Sequence, residues 1–172
     1  MKKFKLLFVL LICFTVILIS GCVGSPFTNS RTEMLDELTG SAAEQNLKTS
    51  QDVIQCFNDD DAASLKSLLS MNKQGIENID QQIITGLDFI NGKVVSFDEE
   101  NLTSYEGQSN EPGEITELER SWTICDIKTD LNETYEVYIF KYYICKEEVE
   151  REGISWIIIT DSAGQEVTIG YR

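Results

Sequence analysis

The stretch Ile79-Asp80-Gln81-Gln82-Ile83-Ile84-Thr85-Gly86-Leu87-Asp88-Phe89-Ile90-Asn91-Gly92-Lys93-Val94-Val95-Ser96-Phe97 decides the fold. Its first part places Ile79, Ile83, Leu87 and Ile90 on one helical stripe. Gly92 then offers the left-handed backbone that closes a helix. After it the period drops from 3.6 to 2. The spacing therefore predicts a helix over about 80–91, a stop at Gly92 and a strand over 93–97.

Upstream of this switch the pattern stays helical. Val53, Ile54 and Phe57 share a face, with Thr49-Ser50-Gln51-Asp52 as a loose capping box in front and Asn58-Asp59-Asp60 as a stop. Asp61 can cap a second short helix, whose Leu65, Leu68 and Leu69 recur at helical spacing. The aspartate triplet is a turn and not a calcium loop. An EF-hand alternates its ligands and closes with a glutamate at the twelfth position, which here is Ser70. Residues 33–48 carry only a weak apolar face (Met34, Leu35, Leu38) and read as a marginal helix or lead-in.

Downstream the pattern is that of strands, over 115–129, 134–145, 154–160 and 166–171. Asp130-Leu131-Asn132-Glu133 turns the first pair and Ser162-Ala163-Gly164 the last. Residues 99–113 read as a polar loop long enough to be functional. Ile154, Trp156 and Ile158 fall on one side of their strand and Ile157 and Ile159 on the other. A strand apolar on both sides is expected to be covered on both faces or central in its sheet. Three helices followed by antiparallel strands predict an α+β domain over 49–172, with the helices packed on one face of a curved sheet of four to five strands. A bent sheet over helices would enclose a cone-shaped cavity.

The N-terminus carries a separate message. Lys2, Lys3 and Lys5 precede an uncharged apolar run over 6–19 of signal-peptide length. The uncharged stretch continues to Thr28, but Ser20-Gly21, Gly24-Ser25-Pro26 and Asn29 argue against the alternative of an uncleaved membrane anchor. Ile19-Ser20-Gly21-Cys22 resembles the bacterial lipobox at every position. That resemblance implies a signal peptide over 1–21, cleavage between Gly21 and Cys22, and lipid on the Cys22 sulfur. Two or three acyl chains exceed what stable anchoring needs. Residues 22–48 would then be the lipidated cysteine, a tether and the weak helical lead-in. The expected location is the outer face of a cell membrane, of Gram-positive type.

Removing 1–21 takes three of the 14 basic side chains and none of the 29 acidic ones, leaving a formal net charge of −18. Such a surface argues against nucleic acid as a partner. The chain contains no histidine, which removes the commonest general base and metal ligand. No metal or cofactor motif is present. Cys56, Cys125 and Cys145 are expected to be free thiols. The turn at Leu131-Asn132 puts Cys125 opposite Val137 or Tyr138, about 25 Å from Cys145 at a strand's rise per residue.

Asp59-Asp60-Asp61 followed by Leu65-Lys66-Ser67-Leu68-Leu69-Ser70 resembles the acidic turn and "D-x-x-x-L-x-x-L" helix of the nuclear transport factor 2-like superfamily. Asp80-Gln81-Gln82-Ile83, Asp88-Phe89-Ile90-Asn91-Gly92-Lys93-Val94-Val95-Ser96 and Gly153-Ile154-Ser155-Trp156-Ile157 resemble, more narrowly, bacterial lipoproteins of the family domain of unknown function 5104. The resemblance covers about 49–161 and implies a cystatin-like α+β roll. It brings no catalytic residues with it.

Function is thereby narrowed to a ranking. The leading expectation is a non-catalytic module that binds a small apolar ligand or an envelope protein. Trp122, Tyr138, Phe140, Tyr142 and Trp156 are the candidate pocket residues, against ordinary core packing for each. The alternative is an enzyme of ketosteroid-isomerase type, which needs a buried carboxylate and a tyrosine; Asp88 and Asp126 are the carboxylates of the right kind. An adaptor role in envelope assembly looks the same as the first at this level.

Overall fold

Ser41 opens the first helix of the computed structural model, which describes residues 41–112 and 114–170. The signal segment, Gly21, Cys22, the tether and the end of the last expected strand lie outside the described residues. Helix α1 spans Ala42–Asp59. The Ser41 hydroxyl accepts from the Glu44 amide at 3.3 Å, and the Glu44 carboxylate accepts from the Ser41 amide at 2.8 Å, a reciprocal cap. The start expected at Thr49-Ser50 is thus two turns late. Both residues are buried inside α1, and the Ser50 hydroxyl donates to the Asn46 carbonyl at 2.9 Å. A serine that finds its partner one turn back has no need of a helix end.

Helix α2 spans Ala62–Leu68, with Asp61 as its cap accepting from the Ser64 amide at 2.9 Å. These bonds favour the charged carboxylate and hold the Asp61 carboxyl below its ordinary value. A single-turn helix α3, Met71–Gln74, was not signalled by periodicity. Helix α4 spans Ile79–Phe89 and is closed by Ile90 in extended backbone, two residues before the stop expected at Gly92, which still takes the left-handed φ of 91°. The Asp130 carboxylate accepts from the Lys93 amide at 2.8 Å, so the point where helix becomes sheet is clasped by the hairpin turn.

Six strands follow: β1 Val94–Ser96, β2 Thr103–Glu111, β3 Glu114–Thr129, β4 Thr134–Cys145, β5 Gly153–Asp161 and β6 Glu166–Ile169. All their pairings are antiparallel, in the order β1-β3-β4-β5-β6, with β2 also paired to β3. The class is α+β, as expected, with one strand more than the sequence reading allowed. The extra strand is β2, which lies within the expected polar loop. It has no apolar alternation of its own and takes its register from β3, Thr103 facing Thr123 and Gly107 facing Glu119. A one-turn 3₁₀ helix, Val149–Arg151, joins β4 to β5.

Of the five register shifts between described strands, three bear on the site. In β3, Cys125 and Asp126 together oppose Glu136, with Asp126 at φ 51°. In β4, Tyr143 is the extra residue opposite Leu118 and Glu119. In β5, Ser155 is the extra residue between Trp156, facing Phe140, and Ile154, facing Lys141. Bulges of this kind bend a strand and re-aim its neighbours. The last one carries Ile154 to the helix side, away from Trp156 and Ile158, with which alternation had grouped it.

Val53, Ile54 and Phe57 of α1, Leu65 and Leu69, and Ile79, Ile83 and Leu87 of α4 pack on one face of the sheet. They meet Trp122, Ile124, Ile127, Val137, Ile139, Ile154, Ile157, Ile159 and Ile169 there. Each fully buried isoleucine contributes about 1.5–3 kcal/mol relative to exposure.

Candidate functional site

The sheet presents two sides of different chemistry. On the helix side the apolar core gives way, under the first half of α1, to a polar cluster. The Trp122 indole donates to the Ser50 hydroxyl at 2.9 Å. One cross-strand pair further along sit two cations, Arg120 and Lys141. Arg120 is 3 % exposed; its Nε donates to Glu106 Oε2 at 2.6 Å and its Nη1 to Gln45 Oε1 at 2.8 Å. Lys141 Nζ donates to Thr49 Oγ1 at 3.1 Å. Both charges flank the ring of Tyr143, at 4.7 Å and 4.6 Å from its centroid, and the Tyr143 hydroxyl donates to Asn46 Oδ1 at 3.1 Å. Burial pushes the Lys141 ammonium below its ordinary value and the Tyr143 phenol above its own. The cluster is satisfied by hydrogen bonds and stacking, with one carboxylate, Glu106, paired to Arg120.

The other side holds Ser121, Thr123, Tyr138, Phe140, Trp156, Ile158 and Thr168, brought together by the registers of β3, β4, β5 and β6. No described α-helix packs on it. Phe140 and Trp156 stack at 4.2 Å between centroids with planes 5° apart, and Tyr142 meets Phe140 edge-on at 5.1 Å. Tyr138, Phe140, Trp156 and Ile158 are half-buried, while Tyr105 of β2 is 64 % exposed beside them. Glu119, Glu136 and Glu166 rim this aromatic row.

At one end of the row Arg151 closes over Tyr142, its guanidinium 4.2 Å from the ring centroid and bonded to the phenol oxygen. Arg151 also reaches Glu117 at 3.5 Å. A polar cavity of about 250 Å³ opens there, lined by Ser109, Thr116, Glu117, Cys145, Glu148 and Arg151 among others.

The candidate pocket residues therefore divide. Trp122 is a core residue, 1 % exposed, and lines nothing open. Tyr138, Phe140 and Trp156 converge on the helix-free side, together with Tyr142. Of the two settings expected for a strand apolar on both sides, β5 has the second: it lies inside the sheet between β4 and β6, while no described element packs on its Trp156–Ile158 side. Asp88 and Asp126 are both exposed, on α4 and at the β3 bulge, and do not meet each other or a buried tyrosine. Cys56, Cys125 and Cys145 are free, and burial with nearby Asp61 pushes the Cys56 thiol up to about 11.

Sequence reading missed Arg120 and Lys141. Their signal was present: Arg120 alternates with Leu118 and Trp122, and Lys141 with Ile139 and Tyr143, so each falls on the core-facing side of its strand. Among the described residues no helix is long and apolar enough to cross a membrane. Comparison with curated proteins finds no match. A family match that begins within α1 and runs past the end of β5 identifies the chain as a member of the family Domain of unknown function (DUF5104) over residues 52–162.

Proposed function

We propose that this chain is an extracytoplasmic lipoprotein whose domain is a non-catalytic binding module, a cystatin-like roll of the nuclear transport factor 2-like kind. The lipobox Ile19-Ser20-Gly21-Cys22 supports the lipid on Cys22, and helices packed on one face of a bulged antiparallel sheet support the roll. One observation carries the binding reading: half-buried Tyr138, Phe140, Trp156 and Ile158 lie side by side on the sheet face that no described α-helix covers. Contiguous apolar side chains left partly in water within a polar rim mark an interaction surface. Because these side chains face outward and not into an enclosed cavity, the surface favours an envelope protein over a small apolar ligand. Exposure of Asp88 and Asp126 supports binding over isomerase-like chemistry, which needs its carboxylate in an apolar site.

A photoreactive residue placed at Ile158 in living cells should give protein adducts that disappear in Phe140→Ser. The same residue at exposed Ile84 of α4 should give none of them. The Cys22→Ala chain should leave the membrane fraction with its domain still folded. Equal adducts from both positions, or an unmodified Cys22 in the mass of the mature N-terminus, would overturn the respective half of the reading.

A further inference from the structure

We propose that the outer edge of β2 docks an extended polypeptide segment bearing lysine or arginine, which joins the sheet as a further strand. The proposal concerns a second surface, the sheet edge, which meets the aromatic face at Tyr105 and Glu119.

Strand β2 pairs with β3 on one side, and among the described residues nothing pairs with its other side. Nine residues in extended backbone offer about 30 Å of edge, along which alternate N–H and C=O groups point outward. Proteins usually blunt such an edge with lysine, proline, a bulge or great shortness. The opposite edge obeys that rule, since β6 is four residues long and lies against α4, Gly86 fitting over Ile169. Strand β2 carries no lysine and no proline; its one inward charge, Glu106, is taken up by Arg120, and its register runs unbroken from Thr103 to Ser109 before shifting at Asn110.

Charge specifies the occupant. From Val94 to Glu119 the chain holds eight acidic residues and no basic one. Glu106 is matched by Arg120, Glu114 by Lys146 and Glu117 by Arg151 at 3.5 Å. Among the described residues Glu99, Glu100 and Glu111 form no ion pair. Gly107 adds a local feature. A Cβ there would meet Glu119 Oε1 at 2.8 Å, so the Glu119 side chain lies over the bare glycine, with Tyr142 as its neighbour on the other side. A pocket of about 70 Å³, lined by Gly107, Gln108, Ser109, Glu117 and Glu119, opens at the same place. A basic side chain opposite Gly107 would bring its charge to Glu119, and the side chain two residues away on the same face would lie along Tyr105. Main-chain bonds would supply the affinity and these alternate positions the selectivity.

The test uses the mature protein in detergent micelles and a nine-residue peptide of alternating lysine and valine, blocked at both termini. A second peptide is N-methylated at alternate residues along one edge, which keeps its charge and removes its strand-forming donors. Calorimetric titration should show the parent peptide binding at least about tenfold more tightly than the methylated one. Amide exchange should slow at alternate residues of Thr103–Ser109 when the parent peptide is added. Gly107→Lys, which supplies the missing edge lysine, should abolish binding. Glu119→Gln, which alters no backbone, should weaken it severalfold. Phe140→Ser should leave it unchanged, separating this surface from the aromatic face. Equal binding of the two peptides, no binding of either, or no slowing of exchange in β2 would each overturn the proposal.

Discussion

The two faces of the sheet are built from the same strands and both carry apolar side chains, yet they have opposite fates. On the helix side Ile124, Ile127, Val137, Ile139, Ile157 and Ile159 are all 0 % exposed. On the other side Phe140, Trp156 and Ile158 stay partly in water, held against each other and not under a helix. Alternation sends β5 isoleucines both ways, so apolar character alone does not reveal which row is core. Cover decides, and the helices can cover only one side. An apolar row left without cover spends its free energy of burial on whatever arrives later, which is why the comparison points to function.

The sharpest way to break this comparison is a pair of truncations on one strand. Ile157→Ala removes a fully buried side chain and should cost about 2–5 kcal/mol in urea unfolding. Ile158→Ala, its neighbour on the open side, should cost under about 1 kcal/mol. Similar losses at both positions would mean that the second face is packed as well.

A smaller effect is expected at the join between core and polar cluster. Ser50→Ala leaves the buried Trp122 indole N–H without its acceptor, at a cost of about 1–3 kcal/mol. A loss within the error of the measurement would show that the indole finds another acceptor.

The smallest effect sharpens the helix side further. The Lys141 ammonium is held below its ordinary value by burial, so folding opposes its charge. Below the lowered value both states are protonated and the full penalty stands. Between it and the ordinary 10.5 the unfolded chain binds more protons than the folded one, so stability rises with pH across that window. Lys141→Met, measured by urea unfolding at several pH values, should therefore be at its most favourable relative to the parent at neutral pH and lose that advantage toward 10.5. An advantage that grows with pH would contradict the assigned direction.

Much of this architecture was legible in the residues, and the exceptions share a cause. The switch at Gly92, the helix over Ile79–Phe89 and the strand over Thr134–Cys145 all carry their own periodicity. Strand β2 carries none, because Thr103 to Glu111 is defined by a partner and not by a buried face. The first two turns of α1 were obscure because Asn46, Thr49 and Ser50 are polar side chains buried against other polar ones. Parity failed at Ser155, where one extra residue returned Ile154 to the core. The aromatic row was half visible: the two-sided pattern of β5 gave the right residues, while the absence of a second layer to cover them could not be read from one strand.

The backbone contact between Leu69 and Ile154 has a consequence for the order in which the domain assembles. This is the one place where the helical connection bonds directly to β5, the Ser70 amide donating to the Ile154 carbonyl at 2.9 Å. Gly153 stands there at φ 117° with the Ser70 backbone 2.9 Å from where a Cβ would be, so no other residue fits without moving the chain. The loop this bond closes runs through most of the domain, whereas the β3–β4 hairpin closes over a four-residue turn. Loop-closure entropy places the hairpin early and the Ser70 bond late. Refolding followed by pulsed amide exchange should protect Val137 and Ile139 before Ser70; simultaneous protection would mean that the helices and sheet form as one nucleus. On this order the chain completes its hairpins first and makes the Ser70–Ile154 bond late, beside a glycine whose place no other residue fills without moving the chain.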